Sequence, residues 1–383
     1  MVTRKMICLL CICVLLLTGC WDRVEVNDLA FVVSTGFDKV GDNQFRVSVQ
    51  VPLPGAMSES SGGGGGTGGG GPYYVDSGIG RNVRESNDDL QERMSRELYF
   101  AHRRIIIFGE ELARFGFKKS LDVVLEQPQS RLSAYVLLTK GEAINVLNAT
   151  PHLEMLPAEA MREMAKSGFG ITVKDVLMDI SRPGKDTFIP IVETTETQNA
   201  NSKDKKQEVK MSGFGILKKD ELKFFTTKEE AWGLRWLLEK ANGNNYTFVV
   251  GEKEELNVNI IKSKVKTNYK SNGGKPSFTL TIKVESNMMQ NEPNLKLAEQ
   301  EVYSSAIKDM KKQIKSEVLS LINHGREEGI DIFGFGWYLY LHHNDEWEKW
   351  KDDWEKILKD ADIEIKVDAE IKRTINSGIN IKE

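Results

Sequence analysis

Cysteine 20 is the residue of this chain whose surroundings most clearly specify a chemical reaction. It closes the run Leu16 to Cys20 (Leu-Leu-Thr-Gly-Cys), which ends an apolar stretch that begins just after Arg4 and Lys5. A basic start, an apolar core and small residues before a cleavage point are typical of a secretory signal peptide. The Leu-x-Gly-Cys ending predicts in addition that the thiol of Cys20 takes a diacylglycerol group. Cleavage before Cys20 would leave it as the lipidated N-terminus of the mature protein.

Removal of the predicted signal peptide changes the cysteine count and the net charge of the chain. Residues 1–19 are predicted to be a cleaved signal peptide, and their apolar run is shorter than the ~20 residues that span a bilayer. Cys8, Cys11 and Cys13 leave with it, so Cys20 is the one cysteine of the mature chain and no disulfide forms within it. The loss of two basic residues takes the net charge from −4 to −6. This acidic balance excludes nucleic-acid binding that is driven by charge.

No other pattern in the sequence nominates a reaction. His342 and His343 with Asp345 invite a metal interpretation, but adjacent histidines point in different directions and a third ligand at a fixed spacing is missing. The chain has no zinc-binding His-Glu-x-x-His motif and no Gly-x-Ser-x-Gly nucleophile motif. We therefore predict no catalytic residues, no metal ligands and no cofactor site, and no enzymatic activity.

Three tryptophans recur at steps of three and four residues, at Trp347, Trp350 and Trp354. This spacing places them on one face of a helix. We interpret the stripe as core, with a protein-contact surface as the alternative, because tryptophan is enriched both in cores and at interface hot spots.

The pattern of elements predicts an α+β protein of more than one domain with mixed sheets and packed helices. Residues 20–193 form a predicted N-terminal α/β region, interrupted at 58–72 by a glycine-rich loop that we expect to be disordered. Strands are predicted at 29–36, 44–51, 105–108 and 132–138, and helices from Asn87 through Leu98, at 110–126 with a break near Gly116, and at 142–147, 157–166 and 172–180.

The polar segment 194–209 has no apolar periodicity and is predicted to link this region to a C-terminal α+β domain at 210–383. That domain is expected to be an antiparallel meander with a long helix. Its strands are predicted at 213–217, 222–225, 246–250, 256–269, 277–286 and 363–371. A capping box at Thr227 and Glu230 predicts one helix start, and apolar residues at steps of four from Val302 to Val318 predict the long helix. A last helix is predicted over 345–358.

The mature N-terminus resembles that of a known family. Cys20-Trp21-Asp22-Arg23, followed by Glu25, Asn27 to Ala30, Gly36 and Asp38-Lys39, is similar to the start of the Ger(x)C lipoproteins, the C subunits of nutrient germinant receptors in bacterial spores. Further matches in order are Arg104 to Glu110, Leu112-Ala113, Arg131, Ala134 to Val136, Gly213 to Lys219, Asp331 to Gly336, and the three tryptophans. The chain departs from the family pattern at Val24, in the Gly62 to Gly71 tract, and at Ile375.

The resemblance implies a non-enzymatic subunit that works in nutrient sensing beside two integral-membrane partners, the A and B subunits. It implies attachment through Cys20 to the outer face of the spore inner membrane and an α+β architecture. It leaves open whether this subunit binds a germinant. The alternative is a solute-binding lipoprotein of a membrane importer, which predicts two similar α/β lobes with ligands at strand ends. An anchored hydrolase would need a nucleophile or a metal set, and the sequence offers neither.

Overall fold

The computed structural model describes residues 24–55, 71–198, 205–272, 274–293, 295–297 and 299–373. The predicted signal peptide, Cys20 and most of the glycine-rich loop predicted at 58–72 lie outside these ranges. No helix within them is long and apolar enough to cross a membrane.

A mixed sheet and its covering helices organise the described chain as far as residue 225. The strands are β1 (Leu29–Phe31), β2 (Ser34–Gly41), β3 (Gln44–Pro52), β4 (Tyr73–Gly80), β5 (Glu97–Tyr99), β6 (Ile105–Gly109), β7 (Tyr135–Thr139), β8 (Thr187–Glu196), β9 (Gln207–Lys218) and β10 (Glu221–Phe225). The helices are α1 (Val83–Gln91), α2 (Glu110–Phe115), α3 (Lys118–Glu126), α4 (Ala143–Leu147), α5 (Pro157–Ser167) and α6 (Val173–Ser181).

The main sheet has the order β10-β9-β8-β7-β6-β2-β3-β4, while β1 and β5 form a separate parallel pair. The hairpin predicted near the start is present, with Gly41 paired to Gln44 across the turn. Strand β6 is parallel to both of its neighbours and buried along its whole length. Its side chains point alternately into two cores, with Ile106 on one face of the sheet and Ile107 on the other. Helices on both faces explain why β6 is continuously apolar.

Two predictions in this part need correction. The helix expected from Asn87 through Leu98 spans Val83–Gln91. It begins earlier because the Asn82 side chain caps it by accepting the Glu85 N–H (3.0 Å). Leu98 belongs instead to β5. The segment predicted as a linker contains the ends of two strands, since Glu196 pairs with Gln207. Strands β8 and β9 therefore continue one sheet across it, and the division into domains at 20–193 and 210–383 stays a prediction.

A second sheet and a long helix make up the C-terminal part. Its strands are β11 (Asn245–Val250), β12 (Glu254–Asn272), β13 (Lys275–Asn291) and β14 (Asp362–Arg373). Its helices are α7 (Lys228–Leu237), α8 (Gln300–Glu327), α9 (Phe335–His342), α10 (Asn344–Trp350) and α11 (Trp354–Asp360). The first three strands are antiparallel neighbours, and β14 pairs in parallel with β13 after the helices. The predicted meander and long helix are confirmed.

The apolar stripe of α8 is also confirmed as core, because Ala306, Met310, Ile314 and Val318 are buried against the second sheet. The capping box at Thr227 starts α7 as predicted. The helix predicted over 345–358 is wrong in detail, because a tight turn at Lys351–Asp353 divides it into α10 and α11.

Asp38 and Gly109 make a close contact that the fold requires. The Asp38 carboxylate is buried and accepts the N–H groups of Ala143 (2.7 Å) and Ile144 (3.4 Å), at the start of α4. Burial raises the pKa of Asp38 to about 6, although these two hydrogen bonds oppose the rise. A Cβ on Gly109 would lie 2.0 Å from an oxygen of this carboxylate. Only glycine therefore leaves room for Asp38 to reach α4.

We predict that Gly109→Ala destabilises the protein by about 1 to 3 kcal/mol, because the added methyl group forces the buried carboxylate away from the helix. Thermal unfolding followed by circular dichroism would show a midpoint lowered by several degrees. Gly41→Ala is the matched control, since a Cβ there meets only the Gln44 side chain at 3.4 Å. Equal midpoints for the two variants would contradict this account.

Candidate functional site

The residues that invited a metal interpretation do not form a metal site. The His342 ring packs on Tyr338 and the His343 ring on Tyr269, each with 4.8 Å between ring centroids. Asp345 is exposed in the first turn of α10. Within the ranges that the structure describes, no group of three or more His, Cys, Asp or Glu residues is arranged to hold a metal ion.

The tryptophan stripe is core, as predicted. Trp347, Trp350 and Trp354 are all buried, although they are shared between α10 and α11 rather than lying on one continuous helix. Trp354 also has a polar contact, because its indole Nε1–H donates to the carboxylate of Asp331 (3.0 Å). This bond joins the aromatic core to a buried carboxylate that accepts four hydrogen bonds.

Asp331 begins the Asp331 to Gly336 motif, and its carboxylate caps helix α9. One oxygen accepts the N–H groups of Gly334 (2.8 Å) and Phe335 (2.9 Å), and the other accepts that of Gly336 (2.8 Å). Gly334 has φ +83°, a left-handed conformation that favours glycine. Three otherwise unpaired donors at the start of α9 are thus satisfied by one side chain.

The environment of Asp331 raises the pKa of its carboxyl group. The side chain is buried, and burial raises the pKa of Asp331 to about 6, while the hydrogen bonds from the start of α9 lower it and the charge of Asp186 raises it further. Asp186 is partly buried as well, and burial raises its pKa. The hydrogen bonds to the two carboxylates come from backbone N–H groups and, at Asp331, also from the Trp354 indole.

Asp186 and Asp331 join the two parts of the chain. The Asp331 N–H donates to the Asp186 carboxylate (2.8 Å), and the Asp186 N–H donates to the Asp331 carbonyl oxygen (3.0 Å). Beside them, a Cβ on Gly184 would lie 2.6 Å from the Cα of Gly336. The loop between α6 and β8 is thus bonded and closely packed to the start of α9. We call these contacts the Asp186–Asp331 joint.

A polar cleft of about 760 Å³ opens beside the joint. Its lining comes from the loop at 180–186, from Lys218 and Lys219, and from the turn before α11. Opposite charges in this area pair with one another, as in Lys218 with Glu355 (2.6 Å) and Lys185 with Asp179 (2.6 Å). The hydroxyl group of the lining, that of Ser181, donates to a carbonyl of its own helix. Several of the cleft's charged residues are thus paired within the protein, which suits a structural joint.

Glu317 is another buried carboxylate, in the C-terminal core between α7, α8 and β11. It accepts hydrogen bonds from the Trp236 indole Nε1 (2.9 Å), the Tyr246 hydroxyl (3.1 Å) and the Gln313 amide (3.1 Å). Burial raises the pKa of Glu317 to about 7, although these hydrogen bonds oppose the rise. These hydrogen-bond partners belong to the protein itself, so the group is part of the C-terminal core.

Sequence reasoning named Asp331 only as part of a family motif and missed Asp186 and Glu317 altogether. The usable signal for Asp331 is an aspartate followed by glycines three and five residues later, which suits a carboxylate that caps a helix start. Cys20, the predicted lipidation site, lies outside the described residues. The described chain begins four residues after it, at Val24.

We predict that Asp331→Asn lowers the free energy of unfolding by about 2 to 4 kcal/mol. An amide keeps one acceptor oxygen but turns its own N–H groups toward buried donors, and each unsatisfied donor costs about 1 to 3 kcal/mol. Thermal unfolding would measure the loss. Asp345→Asn, at an exposed position, is the control and should leave the midpoint within about 1 °C of the parent. Similar midpoints for both variants would contradict the assigned role of Asp331.

We predict that Glu317→Gln removes part of the pH dependence of stability. The folded pKa of Glu317 lies above that of a free glutamate, so the folded state holds the proton more tightly between about pH 4.5 and 7. The stability contributed by the protonated group is therefore lost as the pH rises through this window.

The parent should become less stable relative to Glu317→Gln by up to about 3 kcal/mol from pH 4.5 to pH 7.5. Unfolding measured across this range tests the expectation, with Glu301→Gln on the exposed face of α8 as the control. A constant difference between the parent and Glu317→Gln at every pH would contradict it.

Comparisons with known proteins place this fold and its motifs in one family. Residues 22–194 match the family model described as "Spore germination protein N-terminal domain". Residues 212–375 match the model described as "Spore germination B3/ GerAC like, C-terminal". The two models together cover nearly all of the predicted mature chain. Residues 195–211, with the end of β8 and the start of β9, lie between them.

Two individual relatives match over more than nine tenths of their length. The chain is 33% identical to the Bacillus subtilis spore germination protein YfkR, over 93% of this chain and 92% of that protein. It is 26% identical to "Spore germination protein KC" of Bacillus subtilis, over 96% and 94% of the two chains. The crystal structure of the GerBC protein has the same fold, with a TM-score of 0.55 at 18% identity, over 89% of this chain and 97% of that one. These findings confirm the resemblance seen in the sequence, and the chain belongs to the Ger(x)C family of spore germination proteins.

Proposed function

We propose that this protein is the lipid-anchored, non-enzymatic C subunit of a nutrient germinant receptor and that it is needed for nutrient-triggered spore germination. The observation that carries the proposal is the position of Cys20. It ends a lipoprotein signal, and the family match begins two residues later, at residue 22. A diacylglycerol on Cys20 would therefore tether the folded part of the chain directly to a membrane, on the outer face of the spore inner membrane.

The relatives support a role in germination, because several are named as spore germination proteins, among them KC, B3 and A3 of Bacillus subtilis. Their names carry over to this chain as part of the proposal. The partners we propose are the integral-membrane A and B subunits of the receptor, which the family resemblance implies.

The rival interpretation, a solute-binding lipoprotein of an importer, requires two similar α/β lobes. The two main sheets of this fold differ in kind. One is a mixed sheet that runs from β10 to β4, and the other is the meander β11-β12-β13 with β14 added in parallel. This difference favours the receptor subunit over the rival.

The proposed mechanism uses confinement. A lipid anchor holds the chain in a thin layer at the membrane, so its effective concentration near membrane subunits is high and modest contacts suffice to assemble a complex. Germinant binding within the assembly would shift an equilibrium that the subunits share. In this proposal the C subunit biases that equilibrium through its contacts and performs no chemistry.

We predict that Cys20→Ala abolishes lipid attachment and the response to the nutrient that this receptor senses. Incorporation of labelled palmitate, followed by nutrient-triggered germination of the spores and immunoblots of the partner subunits, measures both effects. Cys13→Ala is a matched control, because it removes a cysteine of the same apolar stretch while keeping the Leu-x-Gly-Cys ending. The control should retain lipidation and germination.

Two results would contradict the proposal. Full lipidation of Cys20→Ala would show that another residue carries the anchor. A normal nutrient response after deletion of the whole gene, in spores that lack other receptors for the same nutrient, would show that the chain is no receptor subunit.

A further inference from the structure

We propose that one end of the fold lies directly on the bilayer and that Val26, Leu53 and Tyr74 insert at the level of the lipid headgroups. This inference rests on the proposed lipid anchor at Cys20 and goes beyond it, since an anchor alone does not say which surface faces the membrane. We call this surface the anchor-side face. It comprises the described residues Val24 to Phe31, Val51 to Gly55, Tyr74, and Arg93 to Arg96.

A groove of about 890 Å³ forms the centre of the anchor-side face. Its floor rests on a small separate core, where Ala30, Val51 and Leu98 pack together with Leu90 and Phe100. Around this floor the apolar side chains remain open to solvent. Val26 is 69% exposed, Leu53 is 37% exposed and Tyr74 is 43% exposed. Nothing in the described chain covers them.

The short distance along the chain from Cys20 to the groove argues for the bilayer as the partner. Val24 follows Cys20 by four positions in the chain, and Val26 follows it by six. An extended chain spans at most ~3.6 Å per residue, so Val24 lies within ~14 Å and Val26 within ~22 Å of the lipidated cysteine. A diacylglycerol on Cys20 has its glycerol at headgroup level. The tether therefore keeps the start of the fold next to the lipid surface.

The chemistry of the face suits a bilayer interface. Valine and leucine side chains gain by leaving water, and tyrosine is favoured at membrane interfaces, where its ring is buried and its hydroxyl stays wet. Val24, just before the groove, is also exposed (58%). Arg96 is exposed and forms no ion pair with the part of the chain that the structure describes, so its guanidinium is available to lipid phosphates.

Electrostatic attraction is not the main contribution to the proposed contact between the anchor-side face and the bilayer. The nearby Arg93 already lies 3.6 Å from Asp89 and 3.9 Å from Asp76, and acidic residues such as Asp28 and Glu97 are close in the sequence. The proposal is therefore one of shallow apolar insertion beside a covalent lipid, with a small dependence on anionic lipid and on salt.

The topology makes the proposal specific. Strands β3 and β4 carry the anchor-side face at one edge of the main sheet, and β9 and β10 form the other edge. Phe214 of β9 and Phe224 of β10 pack into the C-terminal core. A bilayer on the anchor-side face would thus leave the C-terminal sheet on the far side of the fold, away from the lipid.

The single cysteine of the mature chain allows a direct test. Lipidated Cys20 does not react with thiol probes, so one introduced cysteine carries the label. We would prepare the full lipidated chain with Leu53→Cys or Tyr74→Cys, attach an environment-sensitive fluorophore, and reconstitute it in phosphatidylcholine vesicles. Lys270→Cys, exposed at the end of β12, is the matched control. The quencher is a lipid with a nitroxide just below its headgroup.

We expect labels at positions 53 and 74 to shift their emission to the blue and lose most of their intensity to the quencher, and the label at 270 to do neither. Equal quenching at all three positions, or at none of them in chains that float with the vesicles, would overturn the proposal. So would labels at 53 and 74 that respond only when membrane subunits are added, which would make the face a protein interface. Chains that fail to float would instead overturn the anchor at Cys20, on which this inference rests.

Discussion

The carboxylate of Asp331 is the interaction on which the arrangement of this protein depends most. It accepts the first N–H groups of α9 and the indole N–H of Trp354, while its backbone is bonded to Asp186 of the N-terminal half. Desolvation of a carboxylate is costly, and only a full set of donors in fixed positions offsets it. The fold supplies them from a helix start, an aromatic core and a neighbouring loop at once. The relative position of the two halves follows from this requirement.

The Asp186–Asp331 joint determines how the C-terminal sheet is oriented relative to the proposed lipid anchor. A flexible linker would let the C-terminal sheet sample many heights and orientations above the membrane. The Asp186–Asp331 joint and the packing of Phe214 and Phe224 into the C-terminal core attach it instead to the main sheet. In the proposed receptor, the surface offered to membrane partners is then fixed by the fold, and the anchor sets its distance from the lipid.

The sequence predicts the helices and strands of this fold better than it predicts the contacts between them. A continuous apolar run identifies β6, periodicity identifies α8 and the final strand, and a capping box identifies the start of α7, because these signals are local. The buried acids are hidden from the same reasoning. Glu317 lies on an amphipathic helix where glutamate normally faces solvent, and its partners Trp236 and Tyr246 are about 70 to 80 residues away in the chain. The polar segment at 194–209 hid the ends of β8 and β9 for a related reason, since strand ends at the edge of a core need few apolar residues.

The candidate sites also differ in whether the local sequence reveals them. Cys20 is identified by its own neighbours in the sequence, whereas the polar cleft and the groove beside Val26 exist only once distant segments meet.

The measurement that tests the central claim most directly is gentle detergent extraction of spore inner membranes, followed by affinity isolation of the chain and identification of the proteins that come with it. The account predicts two integral-membrane subunits in stable proportion with the lipidated chain. Isolation of the lipidated chain alone, under conditions that preserve other membrane complexes, would contradict it.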